Sequence, residues 1–329
     1  MKKAKRVVHY GKVFIMILVS LFVFFSVGNV VKADDYPNKP INWIISMAPG
    51  GAADQMARIL APEMEKILKT SIVIQYKVGG GGTIGYLAVS KEKPDGYTVG
   101  TYATSFFTQQ YVKTGGAKIS TFDFIANFVN ADGCIAVPST SPFKNLKDMF
   151  DFAQKNPQVV TIANSGTGAS GHLPAAAIER GAKVTFTHVP TGGESAALTA
   201  MLGGHVSAMS LSIGGITEHV KAGKVRVLGV YSDKRLAAFP DIPTVKEQGL
   251  DFQLDNPGGL FAPKGIPENR LKMLSDAVGI GYQSDKFQKF MQTAGFTTLY
   301  LNNKQTAEMA KAYDAKIKDL CKLVGLYQE

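Results

Sequence analysis

Short apolar runs alternate along the chain with stretches of helical periodicity, and glycine-rich turns lie between them. Ile41 to Met47 is an uncharged, mostly apolar run that predicts a buried strand. After Pro49-Gly50-Gly51, the residues Met56, Ile59, Leu60, Ile67 and Leu68 recur on one face of a helix. Pro62 falls inside that helix and predicts a kink or an interruption. Ile72 to Ile74 reads as a second strand, Thr83 to Ser90 as a helix, Tyr97 to Tyr102 as a third strand, and Ile135 to Val137 as another.

The same order returns further on. Strands are predicted at 159–163 and 184–188, with a helix over 174–180 after the first and a helix over 194–202 after the second. A strand follows at 225–230. Gly258 to Pro263 reads as a strand returning to the first half, and the C-terminal stretch is helical, with Leu271, Leu274 and Val278 on one face. Alternating strands and helices predict α/β architecture with a largely parallel sheet. The 329 residues exceed one ordinary core and suit two domains. The turn-rich segment from Pro138 to Pro142 marks the first boundary.

Residues 1–33 form a separate object. Lys2, Lys3, Lys5, Arg6 and Lys12 precede an apolar run from Val13 to Val27, and Val31-Lys32-Ala33 closes it. A basic head, apolar centre and small-residue exit make a secretory signal, with cleavage expected after Ala33. The run is short for an uncleaved membrane anchor. The segment carries six of the 36 Lys and Arg and none of the 26 Asp and Glu, so the remainder has a balance of +4 rather than +10. The basic pI therefore reports the signal and implies no nucleic-acid surface. Cys134 and Cys321 stand far apart outside any metal-binding spacing, and are expected to be buried free thiols.

Four loops share one design, an apolar strand followed by a glycine-rich turn and a helix start: Ala48–Asp54, Gly79–Gly85, Asn164–His172 and Thr191–Glu194. Glycine lets backbone approach a ligand closely, and a helix start offers unpaired N–H groups, so such loops can hold anions. Neither 41–53 nor 160–178 contains Lys, Arg, Asp or Glu. An anion there would be held by neutral donors, among them Ser165, Thr167 and Ser170, which suits reversible capture of a carboxylate. Ordinary α/β turns use the same glycines, but four such loops, two in each half, favour a site. Asp54 and Glu194, each in a first helical turn, are expected to stabilise the helix or tie its loop. His172 is expected to cap or pack. No phosphate-gripping loop, nucleophile elbow or metal cluster is present, which argues against an α/β hydrolase or transferase and leaves no catalytic, cofactor or metal residue to name.

These loops resemble the receptors of tripartite tricarboxylate transporters, the Bug or TctC family. The segment from Ala48 to Arg58 resembles the family's PGGxxDxxAR, and Gly79 to Gly85 its GAGGxxG turn. Lys93 to Thr98 matches xPDGYT, Ser165 to Leu173 the small-residue loop before HL, and Thr191 to Gly193 with Leu202 to Val206 the KGG…LLGGxV pair. Pro240 to Val245 and Phe261 to Pro267 match PDVPTV and FAPxGTP, so the likeness spans nearly all of 36–329 in order.

The resemblance implies a two-lobed, type II periplasmic-binding-protein-like fold, each lobe a mixed sheet flanked by helices. The lobes would be 34–137 with 255–329, and 138–254. It implies a non-enzymatic, exported monomer in the periplasm or at the cell surface. Closing like a Venus flytrap, it would capture a small carboxylate and deliver it to a membrane permease. The matching site positions are Ala48, Pro49, Gly50, Gly51, Ala52, Ala53 and Asp54; Thr104 and Ser105; Ser165, Gly166, Thr167, Gly168, Ala169, Ser170 and Gly171; and Thr191, Gly192 and Gly193. A ligand-sensing subunit of a membrane signalling protein would use the same lobes. The family's NRPG is Tyr76-Lys77-Val78-Gly79 here, and serines 207, 210 and 212 stand where an acidic residue could meet a ligand amine, which argues against an amino-acid ligand.

Overall fold

The computed structural model describes residues 35–112 and 116–328; the expected signal segment lies outside them. In chain order the first half holds β1 (Ile41–Ile45), α1 (Ala52–Leu68), β2 (Ile72–Tyr76), α2 (Thr83–Ser90), β3 (Thr98–Tyr102), α3 (Thr104–Val112) and β4 (Phe122–Asn130). The second half follows with β5 (Gly133–Pro138), α4 (Leu146–Lys155), β6 (Thr161–Asn164), α5 (His172–Ala182), β7 (Thr187–Pro190), α6 (Glu194–Leu202), β8 (Ala208–Ser212), α7 (Thr217–Lys221) and β9 (Val225–Val230). The chain then returns through β10 (Pro257–Pro263) to α8 (Glu268–Tyr282), α9 (Asp285–Ala294) and α10 (Asn303–Leu323).

The strands form two five-stranded sheets of the same plan, β2-β1-β3-β10-β4 and β7-β6-β8-β5-β9. In each, one strand runs antiparallel to its neighbours: β10 between β3 and β4, and β5 between β8 and β9. Both are the strands by which the chain enters a lobe from the other. The expected boundary at 138 needs correction on this point. β5 pairs with β8 and β9 and belongs to the second sheet, so the first crossing falls at Ala131–Asp132. The turn from Pro138 lies at the far end of β5, and a short apolar run such as Ile135–Val137 reads alike in either sheet. The return crossing runs through Leu254–Asn256, just ahead of β10.

The cores follow from strand alternation. In β5, Ile135 and Val137 join one apolar cluster with Ile162 and Leu228, while Cys134 and Ala136 join another with Met209 and Val227. Both faces of the second sheet are therefore covered. The first lobe is aromatic: Phe106 lies 4.5 Å from Phe261 and 5.1 Å from both Tyr86 and Phe122, ring centre to ring centre. α1 packs on α8, and α10 on α3 and β4. Helix α1 is not interrupted; it runs through Pro62, whose missing N–H removes a single link while Leu60, Ala61 and Met64 stay buried. Cys134 and Cys321 are free, buried, and in separate clusters.

Candidate functional site

The loops at the strand ends of the two sheets face one another and enclose a cavity of about 470 Å³. It is closed along two seams. At one, Ala52 N–H donates to Glu194 Oε2 at 3.2 Å and Ser195 Oγ donates to the Pro49 carbonyl at 3.4 Å. A Cβ on Gly193 would stand 2.9 Å from Ala48 Cβ. At the other, a Cβ on Gly166 would stand 3.2 Å from Gly81 Cα, and Thr108 Oγ1 donates to the Gly168 carbonyl. Glycine thus lets the two lobes approach across the cleft, backbone on backbone at Gly166 and Gly81.

Of the residues singled out by sequence, Ala48, Gly51, Ala52, Ala53, Ser105, Ser165, Gly166, Thr167, Ala169, Ser170, Gly192 and Gly193 line this cavity. The others stand behind it and hold the loops. Asp54 is buried and accepts Gly50 N–H at 2.8 Å, the Tyr76 phenol at 2.6 Å and Arg58 Nε at 2.9 Å. Burial opposes its ionisation, but these hydrogen bonds prevail and hold the carboxyl below its usual range. It ties the loop, as expected for its position. Thr104 bonds Asn256 Oδ1 and Tyr313 Oη, both at 2.8 Å, at the crossings. Thr191 Oγ1 donates to the carbonyls of Asn164 and Gly193, each at 3.0 Å. Gly168 is at φ +73°, with its N–H on His172 Nδ1 at 3.0 Å. Burial drives the His172 pKa down to about 4, so the ring stays neutral and accepts that bond. A Cβ on Gly171 would strike the Ser210 carbonyl.

Sequence reasoning left out other lining residues: Ser46 just past β1, Thr101 on β3, and Asn256 to Gly259 where the chain returns; Ser212, at the end of β8, entered only as a position that argued against a ligand amine. It counted the turn Gly79–Gly82 among the four loops that favour a site but did not name its residues as contact positions. Ser46 Oγ and Ser212 Oγ are buried without a hydrogen-bond partner. Thr167 and Ser170 N–H have no acceptor among the described residues. Glu194 is the one charged residue in the lining. Burial raises its pKa, only partly offset by the N–H groups of Ala52 and Ser212.

A cavity closed between two lobes, walled by glycine turns and neutral donors, is that of a binding protein, and comparison with known proteins gives the same answer. Residues 56–326 match the model of the tripartite tricarboxylate transporter family receptor. The chain belongs to this family. It is therefore a solute-binding protein and not an enzyme. It is 29% identical over 296 residues to the "UPF0065 protein in gbd 5'region" of Cupriavidus necator, covering 90% of each chain. The solved structure of the periplasmic binding protein BugD superposes with a TM-score of 0.85 at 30% identity, over 89% of this chain and all of that one. MatC from Rhodopseudomonas palustris with bound malate superposes at 0.80 and 24% identity, over 87% of this chain and 99% of that one, and shares the fold. Among the described residues no helix is long and apolar enough to cross a membrane, and no grouping of side chains suits a metal ion.

Proposed function

We propose that this receptor works outside the cytoplasm, captures a small carboxylate-bearing solute, and delivers it to the membrane permease of a tripartite tricarboxylate-type transporter. The observation that carries this is the cavity between the lobes, in which the loops predicted to hold an anion converge, with unpaired N–H groups on Thr167 and Ser170 and unpartnered hydroxyls on Ser46 and Ser212. Neutral donors suit reversible capture, because the ligand exchanges hydrogen bonds with water for similar ones in the site. Contacts from both lobes give the closed form its preference for ligand. The site binds through Gly51–Ala53, Ser105, Ser165–Thr167, Ala169–Ser170 and Gly192–Gly193, and the second lobe swings about the two crossings.

A thermal-shift screen tests this with di- and tricarboxylates, aromatic acids, acidic and ω-amino acids, and neutral sugars as controls. A ligand that binds only the folded form raises the melting temperature by mass action. Carboxylates should raise it and be recovered unchanged by mass spectrometry; a response confined to sugars would refute the reading. Export with cleavage after Ala33 is checked by the intact mass of the secreted protein.

A further inference from the structure

The cavity has an electrical polarity that a simple anion site would not need. Among its lining residues the one formal charge is negative, and no Lys, Arg or His accompanies it. Glu194 Oε2 accepts Ala52 N–H from the first lobe and Oε1 accepts Ser212 N–H from the second, both at 3.2 Å. Each oxygen retains acceptor capacity after one such bond. Beside it, the Ser212 hydroxyl is buried and unpartnered. The unpaired N–H groups of Thr167 and Ser170 belong to the other seam.

We infer that the cavity selects a ligand of mixed charge, a carboxylate bearing a protonated amine, with the amine received by Glu194 and Ser212 and the carboxylate by the Ser165–Ser170 and Gly79–Gly82 turns. This rests on the proposal that the cavity holds a carboxylate-bearing solute. A half-buried carboxylate without a cation beside it is costly, and a ligand ammonium supplies the missing partner. A dicarboxylate would instead bring a second like charge beside Glu194, where solvent screens it only in part. Serines 207, 210 and 212 do not themselves decide against an amine. Ser207 and Ser210 are tied to Thr161 and Tyr231, and the acidic group reaches Ser212 from Glu194. Because Glu194 also holds Ala52, the residue that reads the amine is part of the seam that closes the lobes.

Calorimetric titration at pH 7.5 tests this on pairs matched in length, succinate against 4-aminobutanoate and adipate against 6-aminohexanoate, together with aspartate, glutamate, malate and citrate. The amine-bearing acids should bind at least about tenfold tighter than their partners. Glu194→Gln, which keeps the shape and removes the charge, should erase that preference by weakening the amine-bearing acids. Equal or tighter binding of the dicarboxylates by the unaltered protein overturns the inference and leaves the receptor reading standing. So does a preference that survives Glu194→Gln. If no carboxylate binds, both readings fail. The ranking by the unaltered protein stands even if the variant folds poorly.

Discussion

The side-chain amide of Asn256 donates to the Ala131 carbonyl at 2.9 Å and so fastens one chain crossing to the other. Ala131 N–H returns to the Asn256 carbonyl at 2.8 Å, and Asn256 N–H reaches Asn130 Oδ1 at 2.7 Å. Asn256→Ala would leave the Ala131 carbonyl and the Thr104 hydroxyl short of partners in a buried place. The expected cost is about 2–4 kcal/mol. It should appear as a lower denaturant midpoint with unchanged slope.

The glycines of the two seams should respond differently. Gly51 has φ −79°, and a Cβ there would stand 3.4 Å from Glu194 Oε2, an ordinary contact. Gly51→Val should therefore fold and lose at least about tenfold in affinity, roughly 1.4 kcal/mol, for the acid that stabilises the protein most. Gly168→Val must hold φ +73° and drive its Cβ to 2.7 Å from Val112 Cγ2, so it should lose stability as well. Ser170→Ala should cost about 0.5–1.5 kcal/mol of binding, one neutral hydrogen bond. Thermal melts and titrations of the three variants separate these effects.

Asp132 gives the crossing a pH dependence. Burial, opposed by a hydrogen bond from Thr297 and reinforced by Asp255, pushes its carboxyl from 3.8 to about 6. Between those values the folded protein holds a proton that the unfolded chain has released, so stability from this group falls as pH rises. The shift amounts to about 3 kcal/mol. Asp132→Asn should be more stable than the natural protein at pH 7.5, with the difference gone below about pH 4. Denaturation curves at the two pH values decide it.

Much of this molecule was legible because its local signals agree with its global plan. α2, α6 and β9 fall where periodicity put them, to the residue. Two of the segments that escaped have no alternation to read. β4 is buried along nearly its whole length, and α3, with Phe106, Phe107, Thr108 and Gln109 all buried, has no polar face to set its period. The glycine loops announced the cavity, since chemistry and spacing lie together in the chain. Glu194 did not announce its part. At a helix start it looks like any first-turn carboxylate, and only the closing of the lobes brings it to Ala52. Asn256 is likewise made a neighbour of the site by the return crossing.

Closure about Ala131–Asp132 and Leu254–Asn256 should be visible in solution. Small-angle scattering of the ligand-free protein should show a larger radius of gyration than at saturation with a stabilising acid. Identical curves would mean a rigid site, closed in both states.

The thiols should report only on unfolding. Burial pushes Cys321 up to about 12 and Cys134 higher still. Alkylation at pH 8 should be slow for the native protein and rapid for both once denaturant is added. A disulfide in the secreted protein would contradict the separation of their clusters.

The late return of β10 sets an order of events at birth. The first sheet has a gap between β3 and β4 that only β10, beginning at Pro257, can fill. A ribosome must therefore make the whole second lobe before the first can be completed; a first half cut from the gene would lack the central β10 of its sheet, whereas the second sheet is contiguous from β5 to β9. Were the chain exported unfolded, as proposed, this delay would keep the leading lobe from locking into shape before translocation.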